Sequence, residues 1–181
     1  MLSLIVQSVY YFLPAYVANM APIIFRRLLP SSWAVPVDGG LMFRGKPVLG
    51  RNKTWRGLVL GVVSAAVVAV LQRSVGWTYA EPFPYASFSW QMMALLGVLL
   101  GAGALIGDMV KSFFKRQTGR PPGRPWVPFD QVDFVVGALL LSSILFVPSW
   151  RMIVTILVAS FALNMIVPFI GYRLGVNEAK F

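Results

Sequence analysis

Apolar residues run along this chain in long blocks, not at the alternate positions of a strand. The first block covers residues 2–29, interrupted by Pro14, Asn19 and Pro22 and closed by Arg26, Arg27 and Pro30. It is too long for a signal peptide and has no basic segment before it, so it reads as a retained, kinked transmembrane helix. Residues 31–53 are polar and glycine-rich, with hairpin punctuation at Val37-Asp38-Gly39-Gly40 and then Arg44, Lys46, Arg51 and Lys53 between glycines. Further apolar blocks predict helices over 54–72, 90–116, 130–147 and 152–172. An aromatic and proline-rich loop at 73–89 places Trp77, Tyr79, Phe83 and Tyr85 where an interface belt would suit them, and 148–151 form a tight turn. The third helix carries Gly97-x-x-x-Gly101 and Gly103-x-x-x-Gly107, which predict close packing of helices within the chain in preference to dimerisation. Asn19 and Asn164, inside helices, read as satisfied packing groups and not as ligands.

Composition turns these blocks into membrane spans. Of 181 residues, 57% are hydrophobic and 12% charged, and the mean hydropathy is +0.72. A soluble domain of this size carries about twice that charged fraction, and a spanning helix needs roughly 20 apolar residues. The expectation is an all-α integral membrane protein, a single membrane-embedded catalytic domain over 1–181 with five transmembrane helices. Charge then gives it sidedness. If the loops at 26–57 and 108–131 and the tail share one side, fourteen of the 16 cations lie there, and Arg73 and Arg151 lie opposite. Five of the six acids, all but Glu81, fall on the same side. By the positive-inside rule the N-terminus is outside and the C-terminus cytoplasmic. The two cytoplasmic loops then form a charged site on a multi-pass protein of the cell membrane.

Candidate chemistry is narrow because the chain has no cysteine and no histidine. Thiolate catalysis and imidazole bases are excluded, and a metal would need oxygen ligands, as magnesium does. The net charge of +10 points to anionic partners, lipid head groups or nucleotide phosphates, and not to nucleic acid, since the charge lies in short loops between helices. Asp108, Lys111, Ser112, Lys115 and Arg116 share one helical face, while Met109, Val110, Phe113 and Phe114 take the other. An ionisable residue at the end of an apolar helix marks function, although a structural ion pair of Asp108 with Lys111 or Lys115 is the alternative. Asp130 and Asp133, one turn apart at a helix start, read equally as an N-cap with a first-turn acid. Beside Asp108 they become a set of three carboxylates fit for a metal. Lys115, Arg116, Arg120 and Arg124 alternate with Gly119, Pro121, Pro122, Gly123 and Pro125, a loop whose amides and guanidinium forks suit a triphosphate. Gly50-Arg51-Asn52-Lys53-Thr54-Trp55-Arg56-Gly57 is a second basic turn leading into a helix N-terminus, without the P-loop pattern.

These two stretches resemble a known family. Gly107-Asp108, Ser112 to Arg116 and Asp130-Gln131-Val132-Asp133 are similar to the signature of the CDP-diacylglycerol synthases, the membrane phosphatidate cytidylyltransferases. Lys53-Thr54-Trp55-Arg56-Gly57 resembles their other cytoplasmic motif. The five-helix format and the segments Pro36-Val37-Asp38-Gly39 and Leu49-Gly50 resemble the archaeal branch, the CDP-archaeol synthases. The chain departs from the bacterial pattern in lacking a Lys-Asp pair after Lys115-Arg116, and has Asp-Gln-Val-Asp where that pattern has Asp-Arg-x-Asp. The resemblance implies a nucleotidyltransferase that joins CTP and the isoprenoid ether lipid 2,3-di-O-geranylgeranylglycerol 1-phosphate into CDP-archaeol, with Mg²⁺ as cofactor. It implies Asp108, Asp130 and Asp133 as metal ligands. Lys115, Arg116 and Lys111 would hold the triphosphate, with Ser112 on the same catalytic face. Asn52, Lys53, Thr54 and Arg56 would meet lipid phosphate or nucleotide, and Asp38, Arg120 and Arg124 complete the substrate-binding set. A CDP-alcohol phosphotransferase is the enzymatic alternative, but its D-G-x-x-A-R motif and aspartate ladder are missing after Asp38-Gly39. A transporter is the non-enzymatic one, and its binding groups belong near mid-membrane on broken helices, not gathered at one edge.

Overall fold

The described residues form five helices and one small hairpin, seen here in a computed structural model. The structure describes residues 2–30, 33–75, 87–120, 126 and 129–173, without the side chains of Arg27 and of 167–173. Arg124, Trp77, Tyr79, Phe83, Tyr85 and the tail from 174 lie outside the described residues. In chain order the elements are α1 (Leu2–Leu28), β1 (Met42–Phe43), β2 (Lys46–Pro47), α2 (Trp55–Val75), α3 (Trp90–Gln117), α4 (Phe129–Ser142) and α5 (Trp150–Arg173). Residues 2–26, α2 and α3 are each long and apolar enough to cross a membrane, and 150–166 form a shorter apolar helix.

Helix α3 is the axis, packed against α4, α2 and α1. Its glycines explain how. A Cβ on Gly97 would lie 2.6 Å from the Ala65 carbonyl oxygen, and one on Gly101 would lie 2.6 Å from Ala65 Cβ. Gly103 and Gly107 face the other way, where a Cβ would collide with the carbonyl oxygens of Gly137 and Asp133. One glycine pair therefore admits α2 and the other α4, the intrachain packing that the spacing predicts. Helix α2 answers with small residues, burying Gly57, Gly61, Ala65 and Ala69 at every fourth position while Val59, Val63, Val67 and Leu71 point outward. Without water between helices to drive association, such close backbone approach and its dispersion contacts hold the bundle together. Tyr11, Phe12, Met93, Leu96, Leu100, Phe134, Val135, Met152 and Ile156 fill the centre. Buried polar groups pair across helices: Tyr11 donates to Ser142 Oγ at 2.9 Å, and Tyr16 meets Ser160 Oγ at 2.8 Å.

Several bounds differ from the sequence expectation: α2 runs on to Val75, and α5 begins at Trp150, inside the expected turn at 148–151. Helix α4 stops at Ser142, five residues before Val147. There the Ser142 and Ser143 hydroxyls donate to carbonyls three residues back, the Ile144 and Leu145 amides bond at the same tighter spacing, and Pro148 offers no amide to continue. The hairpin turn lies at Arg44-Gly45, not at Asp38-Gly39. Arg44 has φ 51° and Gly45 φ 74°, the two left-handed positions of a type I′ turn, with Phe43 opposite Lys46. Asp38 instead ties the loop together, as described below. The base of this loop is closed by antiparallel bonds, Val37 N–H to Lys53 at 2.8 Å and Trp55 N–H to Val35 at 3.0 Å.

Candidate active site

Where α3 leaves the bundle core, its polar face meets the start of α4 and the loop before α2. The contact of Gly107 with the Asp133 backbone sets this juxtaposition, since any side chain there would hold the helices apart. Asp108, Asp130 and Asp133 converge on one ammonium. Lys111 Nζ lies 3.0 Å from Asp108, 3.1 Å from Asp130 and 2.9 Å from Asp133. Lys53, reaching in from the loop, pairs with the other Asp108 oxygen. Lys115 holds both oxygens of Asp130 at 3.2 and 3.0 Å. Lys115 and Ser112 are buried, and the Lys111 side chain is 14% exposed.

The carboxylates are not equally satisfied. Asp130 lies in the first turn of α4, not at its N-cap, and its carboxylate reaches back to accept from the Trp126 amide at 2.5 Å. Asp133 has the ion contact to Lys111, yet neither of its buried oxygens receives a well-directed hydrogen bond among the described residues. Buried acceptors without donors are costly. Three carboxylates, no softer donor and an orphaned buried oxygen form a donor set that fits Mg²⁺. Among the described residues no three acids already stand in a coordinating cluster, because Lys111 holds the space between them.

Two cavities adjoin the cluster. One, of about 980 Å³, is bordered by the hairpin loop and α3, and its cations are Lys46, Arg51, Lys53, Lys111, Lys115, Arg116 and Arg120. The other, of about 370 Å³, lies between α1, α2 and α3 and combines Asn19, Arg26 and Thr54 with Pro22, Ile23, Leu58 and Leu105. Asn52, Lys53 and Asp108 border both. The Lys53–Asp108 contact is thus a partition between them.

The other expected site residues are placed as follows. Arg116 and Arg120 line the larger cavity, with the Arg120 guanidinium 5.4 Å from the Trp126 ring centre. Thr54 Oγ accepts from the Gly57 amide at 3.2 Å and starts α2. Arg56 turns from the cluster and donates to the carbonyls of Leu29 and Pro30 at 3.2 and 2.6 Å, closing the end of α1. Asp38 accepts from the amides of Gly40 at 3.0 Å, Leu49 at 2.8 Å and Gly50 at 3.1 Å. Burial pushes the Asp38 carboxyl up, but those amides outweigh it and hold it below the ordinary carboxylate range. Sequence reasoning missed the clamp that docks the hairpin on α3, in which Lys46 donates to the Gln117 carbonyl at 2.6 Å and Gln117 to the Pro47 carbonyl at 3.3 Å. The two helix asparagines differ. Asn164 donates to the Ser160 carbonyl at 2.9 Å as a packing group should, whereas Asn19 has no such bond among the described residues and faces the smaller cavity. The available signal was that Asn19, Pro22, Ile23 and Arg26 share one helical face.

Known proteins similar to this chain in sequence and fold agree with one another. The family described as "CarS-like: CDP-archaeol synthase" matches residues 1–181. A CDP-archaeol synthase of Methanosphaerula palustris is 39% identical, over 92% of this chain and 98% of its own length. One of Methanococcus aeolicus is 34% identical, over 97% of this chain and 96% of its own. A solved structure, described as an intramembrane enzyme for archaeal membrane lipids biosynthesis, superposes with a TM-score of 0.73 at 29% identity and covers 90% of this chain and 93% of that one. With the match running the full length of the chain, the protein belongs to the CDP-archaeol synthase family.

Proposed function

We propose that this chain transfers CMP from CTP to 2,3-di-O-geranylgeranylglycerol 1-phosphate, giving CDP-archaeol and pyrophosphate, at the cytoplasmic face of a cell membrane that it crosses five times. Its family makes it a CTP-dependent cytidylyltransferase; the lipid, the chemical route, the cofactor and the orientation are our reading. The observation that carries it is the gathering of Asp108, Asp130 and Asp133 around Lys111, beside a cavity large enough for a nucleotide and lined with cations.

The residues fit a direct displacement. A phosphate monoester has its second pKa near ~6, so the lipid arrives ionised and no base need activate it. Attack forms a bond from a lipid-phosphate oxygen to the α-phosphorus of CTP. The bond to the bridging oxygen breaks and its electron pair leaves with pyrophosphate. Lys115, Arg116 and Arg120 would grip the triphosphate and neutralise the leaving group as its charge grows. Asp108, Asp130 and Asp133 would hold Mg²⁺, which when bound adds further neutralisation of the crowded phosphates. A covalent nucleotidyl-enzyme has no candidate nucleophile among these residues. Lys53, Lys111 and Lys115 are paired with carboxylates, and Ser112 bonds to none of the carboxylates among the described residues.

The test is purified protein with labelled CTP, Mg²⁺ and a panel of lipid phosphates. CDP-lipid should form with the ether lipid and require Mg²⁺. With CTP chiral at an α-thiophosphate, the configuration at phosphorus should invert; net retention would refute direct attack.

A further inference from the structure

The smaller cavity differs in character from the larger one. Its walls are amphipathic, with Arg26, Asn19 and Thr54 set among Pro22, Leu58, Leu105 and Ile23. Ile23 is 63% exposed, so the cavity is flanked by an apolar α1 surface that Met20 and Ile24 extend. The larger cavity offers cations and loop backbone instead. Among the described residues no carboxylate pairs with Arg26, and no group bonds the Asn19 amide, although Lys53 across the cavity is neutralised by Asp108. Arg26 and Asn19 are seven positions apart, two turns of one helix, so both project to one side. An unpaired guanidinium with an amide donor beside it, facing a chamber with apolar walls, matches an anion that carries hydrocarbon.

We propose that this cavity is the lipid-phosphate subsite, with Arg26 as its principal anchor and Asn19 as a second donor. The inference rests on the reading above and extends it by assigning each substrate a chamber. Displacement at phosphorus requires the nucleophile and the leaving group on opposite sides. Two cavities meeting at Asn52, Lys53 and Asp108 supply that arrangement: lipid phosphate on the Arg26 side, pyrophosphate on the Lys115 and Arg116 side, and the α-phosphorus at the partition. Lys53 then exchanges its contact with Asp108 for phosphate oxygens of the two substrates. Arg26, which charge patterning alone explains as a topological marker, becomes a determinant of lipid binding.

Arg26→Ala, Arg26→Lys and Asn19→Ala separate this from other roles when each substrate is varied in turn. Arg26→Ala should raise the KM for 2,3-di-O-geranylgeranylglycerol 1-phosphate about ten-fold or more, the scale of one charge-assisted hydrogen bond. The KM for CTP should stay within about two-fold, with Arg26→Lys in between and Asn19→Ala showing a smaller rise in the same direction. Labelled CTP binding without lipid should be retained in all three variants. In the wild type, dodecyl phosphate should compete with the lipid, and inorganic phosphate at equal concentration should not. An unchanged lipid KM, an equal rise for both substrates, loss of CTP binding, or equal competition by inorganic phosphate would each overturn the assignment. A wild-type protein inactive with every lipid phosphate would instead overturn the reading beneath it.

Discussion

Lys111 is the residue on which the electrostatics of the site turn. One ammonium serves three carboxylates, and its side chain is mostly withdrawn from water. Replacing it by methionine leaves those charges facing one another with only Lys53 and Lys115 at the edges. Breaking a buried pair in this way costs about 3–5 kcal/mol. Lys111→Met should therefore lower the melting temperature, and millimolar Mg²⁺ should restore much of the loss where sodium at matched ionic strength does not. A melting curve indifferent to Mg²⁺ would count against the metal assignment. At this scale the sequence was informative about place and silent about partners. The 3.6-residue period set Asp108, Lys111, Ser112 and Lys115 on one face, and the structure keeps them there. That Lys111 would sit among all three acids depends on which helix the α3 glycines admit, and their spacing predicts close packing without naming α4 as the partner. The resemblance implies Asp38 as a substrate contact; it borders the larger cavity, and its oxygens accept three loop amides, partners that no sequence pattern announced.

Among the elements, the pairing of α3 with α4 fixes the geometry of the cluster. Gly107 lies against the Asp133 backbone and Gly103 against Gly137, so the two helices touch main chain to main chain just where the acids begin. A methyl group at 107 must push α4 outward, at a cost of about 1–3 kcal/mol. Gly107→Ala should lose most of its turnover, since Asp133 moves relative to Asp108. Gly101→Ala intrudes on α2 and should lower stability to a similar degree while keeping far more activity. Melting temperature and turnover measured together in lipid nanodiscs decide it; equal activity losses would show that the α3–α4 spacing does not govern the site. The glycine pattern made this packing legible in advance. The end of α4 was not legible, because 134–147 is apolar apart from Ser142 and Ser143, and the tightening there uses hydroxyl-to-backbone bonds that composition does not reveal. The hairpin was misplaced for a similar reason: Asp38-Gly39 carries the stronger turn signal, yet the side chain of Asp38 is spent within its own loop and Arg44-Gly45 makes the turn.

For the whole molecule, the asymmetry of charge is the feature a membrane would read. With fourteen cations assigned to one side and two to the other, a cysteine introduced at exposed Thr118 should be labelled only from the cytoplasm, and one at Ser87 only from outside. Labelling of Thr118 from outside would invert the site. The short α4 then has a consequence for traffic. Its 14 residues extend about 21 Å, well under the roughly 30 Å of a hydrocarbon core. Were α4 to cross that core, a helix this short, with Asp130 in its first turn, would draw its charged end below the plane where lipid phosphates ordinarily float. The water-soluble partner would then descend to meet the greasy one, and the lipid would not need to be hoisted out of its leaflet.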